Sequence, residues 1–336
     1  SVLIRGTKLT AAENGYAQLM EKLDTPVASS DKNVAIVGGG PTGIAAAFFL
    51  GREGIKATIF EKEGKLGGIV RNVIPSFRIS DEAIDNDIKL MEKMGAEIKL
   101  NTPAPSLNEL KEAGYTHILY CVGAEKPGKL DIDSINVIEF LKKVKAGETA
   151  GYGKNIAVIG GGNTAMDAAR AAKRCDGVEN VYIVYRRTKK YMPADEEELM
   201  LAQYDEVKFV ELAAPVKHEN GKLTVRKMVL GEPDESGRRS PVETDELYDI
   251  DADVVIVAVG EAVDSEYFEA QGIAVDKKGR PTFCTNVQNV YVAGDAFRGP
   301  ATVVEGIADA KKFVEEITGK EITAVIPEEA KQTEEE

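Results

Sequence analysis

Two glycine clusters, Gly38-Gly39-Gly40-Pro41-Thr42-Gly43 and Gly160-Gly161-Gly162-Asn163-Thr164-Ala165, carry the spacing that binding a dinucleotide requires. In the first, Gly38, Gly40 and Gly43 fit G-x-G-x-x-G. One glycine permits a tight turn, the next lets a pyrophosphate approach the backbone, and the third lets a helix pack closely on a strand. A helix opening at Thr42-Gly43 offers unpaired N–H groups and the positive end of its dipole to phosphates. Glu61 follows at the place where an acid accepts hydrogen bonds from ribose hydroxyls. The second cluster ends in Ala165, a permitted variant. Its next strand ends in Arg186-Arg187, with Lys189-Lys190 close behind and no acid. A ribose diol needs a carboxylate, whereas a 2′-phosphate is held by guanidinium groups through planar, charge-assisted bonds. The second site is therefore expected to take NADP rather than NAD.

Two such sites in one chain point to two dinucleotides, and a flavin is the natural hydride acceptor for a nicotinamide. The C-terminal part has a matching feature. Val292-Ala293-Gly294-Asp295 follows a buried strand, where an acid can bond a ribityl chain. Ala301-Thr302-Val303 opens the last helix, and its N–H groups are expected to face the flavin N1/O2 edge. Other chemistries find less support. Cys121, Cys175 and Cys284 form no C-x-x-C pair, which argues against disulphide exchange, zinc ribbons and iron–sulphur clusters held by this chain alone. Cys121 reads as a core residue. His117 and His218 lack a partner spacing for acid–base work, and no metal site is expected.

The elements that must position these residues are legible around both clusters. Val34 to Val37 is an apolar run without alternation, as in a strand buried on both faces. A small-residue helix, Ile44 to Leu50, and a second strand, Ala57 to Phe60, follow it. The same design recurs as strand Ile156–Ile159, helix Met166–Lys173 and strand Val181–Tyr185. This internal repeat of a βαβ unit implies a parallel sheet in each copy. Between about 207 and 260 the chain alternates like an antiparallel meander, with turn signals at Glu219-Asn220-Gly221 and Glu235-Ser236-Gly237. Strands at Asp253–Gly260 and Asn289–Asp295 and a helix over about 303–318 complete the pattern. Residues 11–23 suit a helix, Thr25 to Asp31 a linker.

Composition bounds the function classes. With 336 residues, two domains are expected. Lys and Arg number 42 against 56 Asp and Glu, a net charge of −14 that repels nucleic acid and anionic membranes. No run of about 18 apolar residues could span a bilayer, and nothing near Ser1 resembles a signal peptide. A cytoplasmic protein with no nucleic-acid partner and no membrane insertion is expected.

Several strings resemble one family closely: GGGPTGIAAA (38–47), LGG (66–68) with IPSFR (74–78), GGGNTAMDAAR (160–170), YRRT (185–188) with MPA (192–194), and YVAGD (291–295). The chain resembles, over nearly its whole length, the FAD/NADPH electron-input module shared by the glutamate synthase small subunit, dihydropyrimidine dehydrogenase and the selenate-reductase-type iron–sulphur subunit. The resemblance implies that Gly38, Gly39, Gly40, Pro41 and Thr42 hold the FAD pyrophosphate. Glu61, Lys62, Gly67, Gly68 and Ile69 would line its adenosine and flavin side, Gly123 would touch it by backbone, and Arg78 would contact FAD. Gly160, Gly162, Asn163, Thr164 and Ala165, with Arg186, Arg187 and Lys190, would hold NADPH. Ala258, Val259 and Gly260 would lie near the nicotinamide, while Gly294, Asp295, Thr302 and Val303 would close over the flavin. Thr42 stands where alanine is commoner, and Lys190 where some members place arginine. The family's cysteine-rich domain with its iron–sulphur clusters is missing. The chain therefore reads as an excised fragment, or as a short natural homologue whose iron–sulphur centres sit on a partner.

The expected fold class is α/β, with two Rossmann-like domains, the second inserted in the first, and a small antiparallel meander. A lead-in (1–30) precedes a discontinuous FAD domain (31–126 plus 273–325). An NADPH domain (127–272) interrupts it, and a disordered acidic tail (326–336) follows. Hydride would pass from NADPH to FAD, then electrons singly to an iron–sulphur domain or subunit. Two alternatives stand beside this: a complete flavin reductase acting on a small acceptor, and a non-enzymatic nucleotide-binding assembly subunit.

Overall fold

The computed structural model describes residues 4–235, 237 and 239–323. The tail expected at 326–336 lies outside them, as does Ser236 of the second meander turn. From the N-terminus the chain runs α1 (Ile4–Lys22), β1 (Asn33–Val37), α2 (Pro41–Arg52), β2 (Lys56–Phe60), α3 (Gly68–Asn72), α4 (Asp81–Lys93), β3 (Glu97–Lys99), α5 (Leu107–Glu112) and β4 (His117–Tyr120). It continues through β5 (Lys126–Pro127), β6 (Ile135–Asn136), α6 (Val137–Lys145), β7 (Asn155–Ile159), α7 (Asn163–Ala172), β8 (Asn180–Tyr185), α8 (Glu196–Tyr204) and β9 (Lys208–Glu211). Then come β10 (Ala213–Glu219), β11 (Lys222–Pro233), β12 (Arg239–Asp251), β13 (Val254–Val257), β14 (Glu261–Ala262), α9 (Ser265–Ala270), β15 (Val290–Val292), α10 (Asp295–Arg298) and α11 (Val303–Thr318). Among the described residues no helix is long and apolar enough to cross a membrane.

The described residues divide into two compact units: those within 4–71, 80–124 and 263–323 in one, and 72–79 with those within 125–262 in the other. The first is built on a parallel sheet of order β15-β4-β1-β2-β3. Val34 and Ile36 face one core with Leu50 of α2 and Phe313 of α11. Ala35 and Val37 face the opposite core with Phe60 and Phe268. Burial on both faces is why β1 shows no polar alternation. α2 starts earlier than its apolar run, because Pro41 suits the first helical position behind Gly40. Likewise α1 begins well before residue 11.

The second unit repeats the plan with order β6-β13-β7-β8-β9, all parallel. The meander β10-β11-β12 is antiparallel, and its Leu223, Val225 and Ile250 pack on Ala157, Ile159 and Val257. Its first turn places Asn220 and Gly221 at φ of 53° and 71°, the left-handed pair that a two-residue hairpin favours. Residues 208–211, read as meander from sequence, instead extend the parallel sheet, with Val210 beside Val184.

The division also departs from the expected boundaries, by two residues at 125–126 and more widely at two other places. Residues 263–272 belong with the first unit, because Val263 and Phe268 are buried in its core. Residues 72–79 belong with the second, although the chain on both sides of them belongs with the first.

Candidate functional site

In the first unit, the β1–α2 turn gathers segments from four parts of the chain. Gly38 has φ of 105°, and a Cβ there would come within 2.5 Å of the Cys121 carbonyl oxygen. A Cβ on Gly43 would strike the Gly38 carbonyl oxygen, so α2 and β1 meet only through glycine. Gly40 is different: the nearest atom to its Cβ position is the Gly68 Cα at 3.9 Å. That position is uncrowded, in ordinary contact with Gly68, whereas Gly68, at φ of 53°, sits so close that its own Cβ would lie 2.9 Å from the Gly40 Cα. No side chain caps α2, so its opening N–H groups remain available.

Glu61 is buried at the end of β2. Its Oε2 accepts the Gly39 N–H at 2.8 Å and its Oε1 the Glu63 N–H at 2.8 Å. Two backbone donors therefore fix the carboxylate beside the glycine turn. Gly67 donates its N–H to the Gly39 carbonyl at 2.8 Å, which ties the 66–69 stretch to the same turn. Ile69 is half-buried and Lys62 exposed. Gly123, at φ of 74°, has nothing within 4 Å of its Cβ position.

The C-terminal residues reach the same place. Cβ positions on Gly294 and on Gly306 would both collide with the Thr42 hydroxyl. Asp309, almost fully buried, accepts the Gly294 N–H at 3.1 Å and pairs with Arg298 at 2.7 and 2.5 Å. The Asp295 Oδ1 accepts the Ala301 N–H at 3.2 Å. α11 is closed by a capping box: Thr302 Oγ1 accepts the Glu305 N–H, and Glu305 Oε2 accepts the Thr302 N–H. Of the N–H groups expected to face the flavin, those of Ala301 and Thr302 are thus taken by Asp295 and Glu305. The box consumes two of its four free donors and leaves those of Val303 and Val304. The T-x-x-E spacing that signals such a box is present in the sequence.

The second unit holds the second cluster. A Cβ on Gly160 would strike the Ala258 carbonyl oxygen, and one on Gly161 would lie 2.7 Å from the Tyr185 ring. Gly162, by contrast, has nothing within 4 Å. Asn163 is engaged through its side chain: its Oδ1 accepts the Asp195 N–H at 2.9 Å, and its Nδ2 donates to Asp195 at 3.2 Å. Thr164 and Ala165 continue α7. Val259 is exposed, and Gly260 has φ of 107°. At the end of β8, Arg186 and Lys190 are exposed and Arg187 is half-buried. The buried Arg187 Nε has no hydrogen-bond partner. Among the described residues none of these three cations forms an ion pair. Lys189 is spent elsewhere, 4.3 Å over the Phe209 ring.

Arg78, expected to contact FAD, is engaged with two carboxylates. It belongs to the second unit, and both its terminal nitrogens bind carboxylates: Nη1 Asp167 and Nη2 Glu198, each at 2.9 Å. Sequence reading also missed Arg71, which is buried and donates its Nε to the Leu66 carbonyl at 2.6 Å behind the Gly67-Gly68 turn. The three cysteines are unpaired, and burial pushes the Cys121 thiol far up.

The residues fit two dinucleotides. Neither fingerprint's middle glycine is crowded at its Cβ position, one strand end offers a fixed carboxylate, and the other offers the exposed cations Arg186 and Lys190 with Arg187 beside them. A family-wide sequence pattern, that of the pyridine nucleotide-disulphide oxidoreductases, matches residues 32–310. The chain belongs to this family. The small chain of NADPH glutamate synthase from Escherichia coli is 31% identical over 326 residues, covering 87% of this chain and 69% of that one. YgfK of Escherichia coli is 39% identical over 330 residues, which are 95% of this chain and 32% of that protein. The chain thus spans about a third of YgfK. Among solved structures, FprA from Mycobacterium tuberculosis superposes with a TM-score of 0.71 at 20% identity, over 91% of this chain and 89% of that one, and shares the fold.

Proposed function

We propose that the chain is an NADPH-oxidising flavoprotein module that hands electrons to an iron–sulphur domain or subunit. The observation that carries this reading is the contrast between the two strand ends. Glu61, fixed by two N–H groups, suits a ribose diol; the clustered cations Arg186, Arg187 and Lys190 suit a 2′-phosphate.

In this reading the 38–42 backbone and the opening N–H groups of α2 hold the FAD pyrophosphate. Gly68, Ile69 and Gly123 line the same cofactor. Gly294, Asp295 and the free Val303 N–H lie at the flavin, with Thr302 acting through its cap. Gly162 and the start of α7 hold the NADPH pyrophosphate, and Ala258 to Gly260 lie at the nicotinamide. When bound, the two groups supply a hydride donor and an acceptor that can release electrons one at a time. The chain's own work is placement, and no side chain acts as a covalent catalyst. Thiol chemistry finds no cysteine pair, and the buried Cys121 thiol stays protonated.

The test is reconstitution with FAD followed by NADPH oxidation with ferricyanide, a one-electron acceptor. Flavin retention through gel filtration and NADPH-dependent ferricyanide reduction are expected. A protein that cannot retain FAD would refute the reading.

A further inference from the structure

Residues 72–79 (NVIPSFRI) form a strap held by the second unit through charged and aromatic contacts. Arg78 bridges Asp167 of α7 and Glu198 of α8 at 2.9 Å each. The second Glu198 oxygen lies 3.4 Å from Arg170, whose Nε is 2.9 Å from Asp205, which in turn binds Arg174 at 2.8 Å. The Phe77 ring lies beneath both arginines, 4.5 and 4.6 Å from its centroid. Lys145 donates to the Ile74 carbonyl at 2.6 Å.

Within this network Asp167 stands apart. Its side chain is 6% exposed, one oxygen meets Arg78, and the other, Oδ1, has no partner. It lies four residues after Asn163, the first residue of α7, and so one turn beneath the helix opening on the same face. A buried carboxylate there opposes any anion at the helix N-terminus unless a cation balances it. Arg78 is the nearest balancing group.

We propose that Arg78 is a positioning residue for the NADPH site: by neutralising Asp167 beneath the α7 phosphate cradle, it sets the affinity of that cradle for the dinucleotide. This rests on the reading of α7 as the NADPH site given above. Burial pushes Asp167 up to about 6, against the pull of Arg78 and Arg170 and with the push of Glu198. These are the charged groups acting on it, from the strap, α7 itself and α8; α6, β7 and β8 also pack on α7 and contribute none. The carboxylate therefore changes charge at an accessible pH.

The test is equilibrium binding of NADP+ to the FAD-loaded full chain, with FAD content and thermal midpoint recorded for every variant. Arg78→Met is expected to weaken binding roughly tenfold at pH 8, as an uncompensated buried charge near an anion would. Asp167→Asn in the Arg78→Met background should restore most of that loss, as should lowering the pH to 5.5. Arg78→Lys should stay within about threefold of the parent. A merely structural role would give a loss insensitive to both the asparagine and pH. Should Arg78→Met fail to fold, Asp167→Asn alone decides: the 2′-phosphate titrates at about 6 in both proteins, so the ratio of parent to Asp167→Asn affinity is read against pH, and it should change between about pH 5 and 7 and be constant if Asp167 plays no part. Parent-like affinity in Arg78→Met, or a deficit unchanged by Asp167→Asn and by acid, would overturn the proposal alone. A parent chain that binds no NADP+ would overturn the reading of the site and the proposal with it.

Discussion

The Glu61 carboxylate accepts the Gly39 N–H at 2.8 Å, so the acid that ends β2 is locked to the middle of the first glycine turn. Its second oxygen is held by Glu63 at the same distance. The geometry pre-orients an acceptor for a diol before any ligand arrives.

Glu61→Gln should therefore weaken FAD binding by about tenfold or more. Hydrogen bonds to a charged group are worth roughly 1.5–3 kcal/mol. Fluorescence titration of the apoprotein with FAD measures this. Unchanged affinity would remove Glu61 from the site.

The two ends of the second glycine cluster should respond differently to alanine. Gly160→Ala drives a methyl into the Ala258 carbonyl and should cost about 2–3 kcal/mol of stability. Gly162→Ala meets nothing within 4 Å, so the fold should keep its thermal midpoint while NADP+ affinity falls, because the methyl occupies the phosphate's approach. Equal thermal midpoints for the two variants would contradict this.

Arg187→Ala should weaken NADPH binding by about 1.5–3 kcal/mol and leave NADH binding nearly unchanged. Arg186→Ala, at an exposed position, should cost less. Paired titrations with the two nucleotides separate a 2′-phosphate effect from general damage, which would weaken both alike.

Asp167 gives a pH signature in stability. Its value in the fold, about 6, is above its ordinary 3.8, so the fold favours the protonated form. The associated stability is fully present below about 3.8 and is lost as pH rises through 6. Its size is on the order of 3 kcal/mol. The unfolding free energy of the parent minus that of Asp167→Asn should fall across pH 4–6 and be flat above 7. A flat difference throughout would show that Asp167 titrates normally.

Both glycine turns, their strands and α11 were legible because their signatures are local: glycine spacing, an unbroken apolar run, a T-x-x-E cap and an Asn-Gly hairpin each lie within a few residues, even though the carbonyls that crowd Gly38 and Gly160 come from Cys121 and Ala258. The partners of Arg78 were not legible. Asp167 and Glu198 lie far along the chain, and only tertiary packing brings the strap to α7 and α8. The same holds for Asp309, which reads as an ordinary helix aspartate yet braces Gly294 and Arg298. β9 was misassigned because a short strand beside a meander shows no periodicity that distinguishes parallel from antiparallel pairing.

The most direct test of the account is anaerobic reduction of the FAD-loaded chain, followed by flavin absorbance in parallel titrations with NADPH and NADH. Bleaching by NADPH near one equivalent per flavin, at a rate at least tenfold that with NADH, is the expected result. No bleaching with either nucleotide, or equal rates with both, would contradict it.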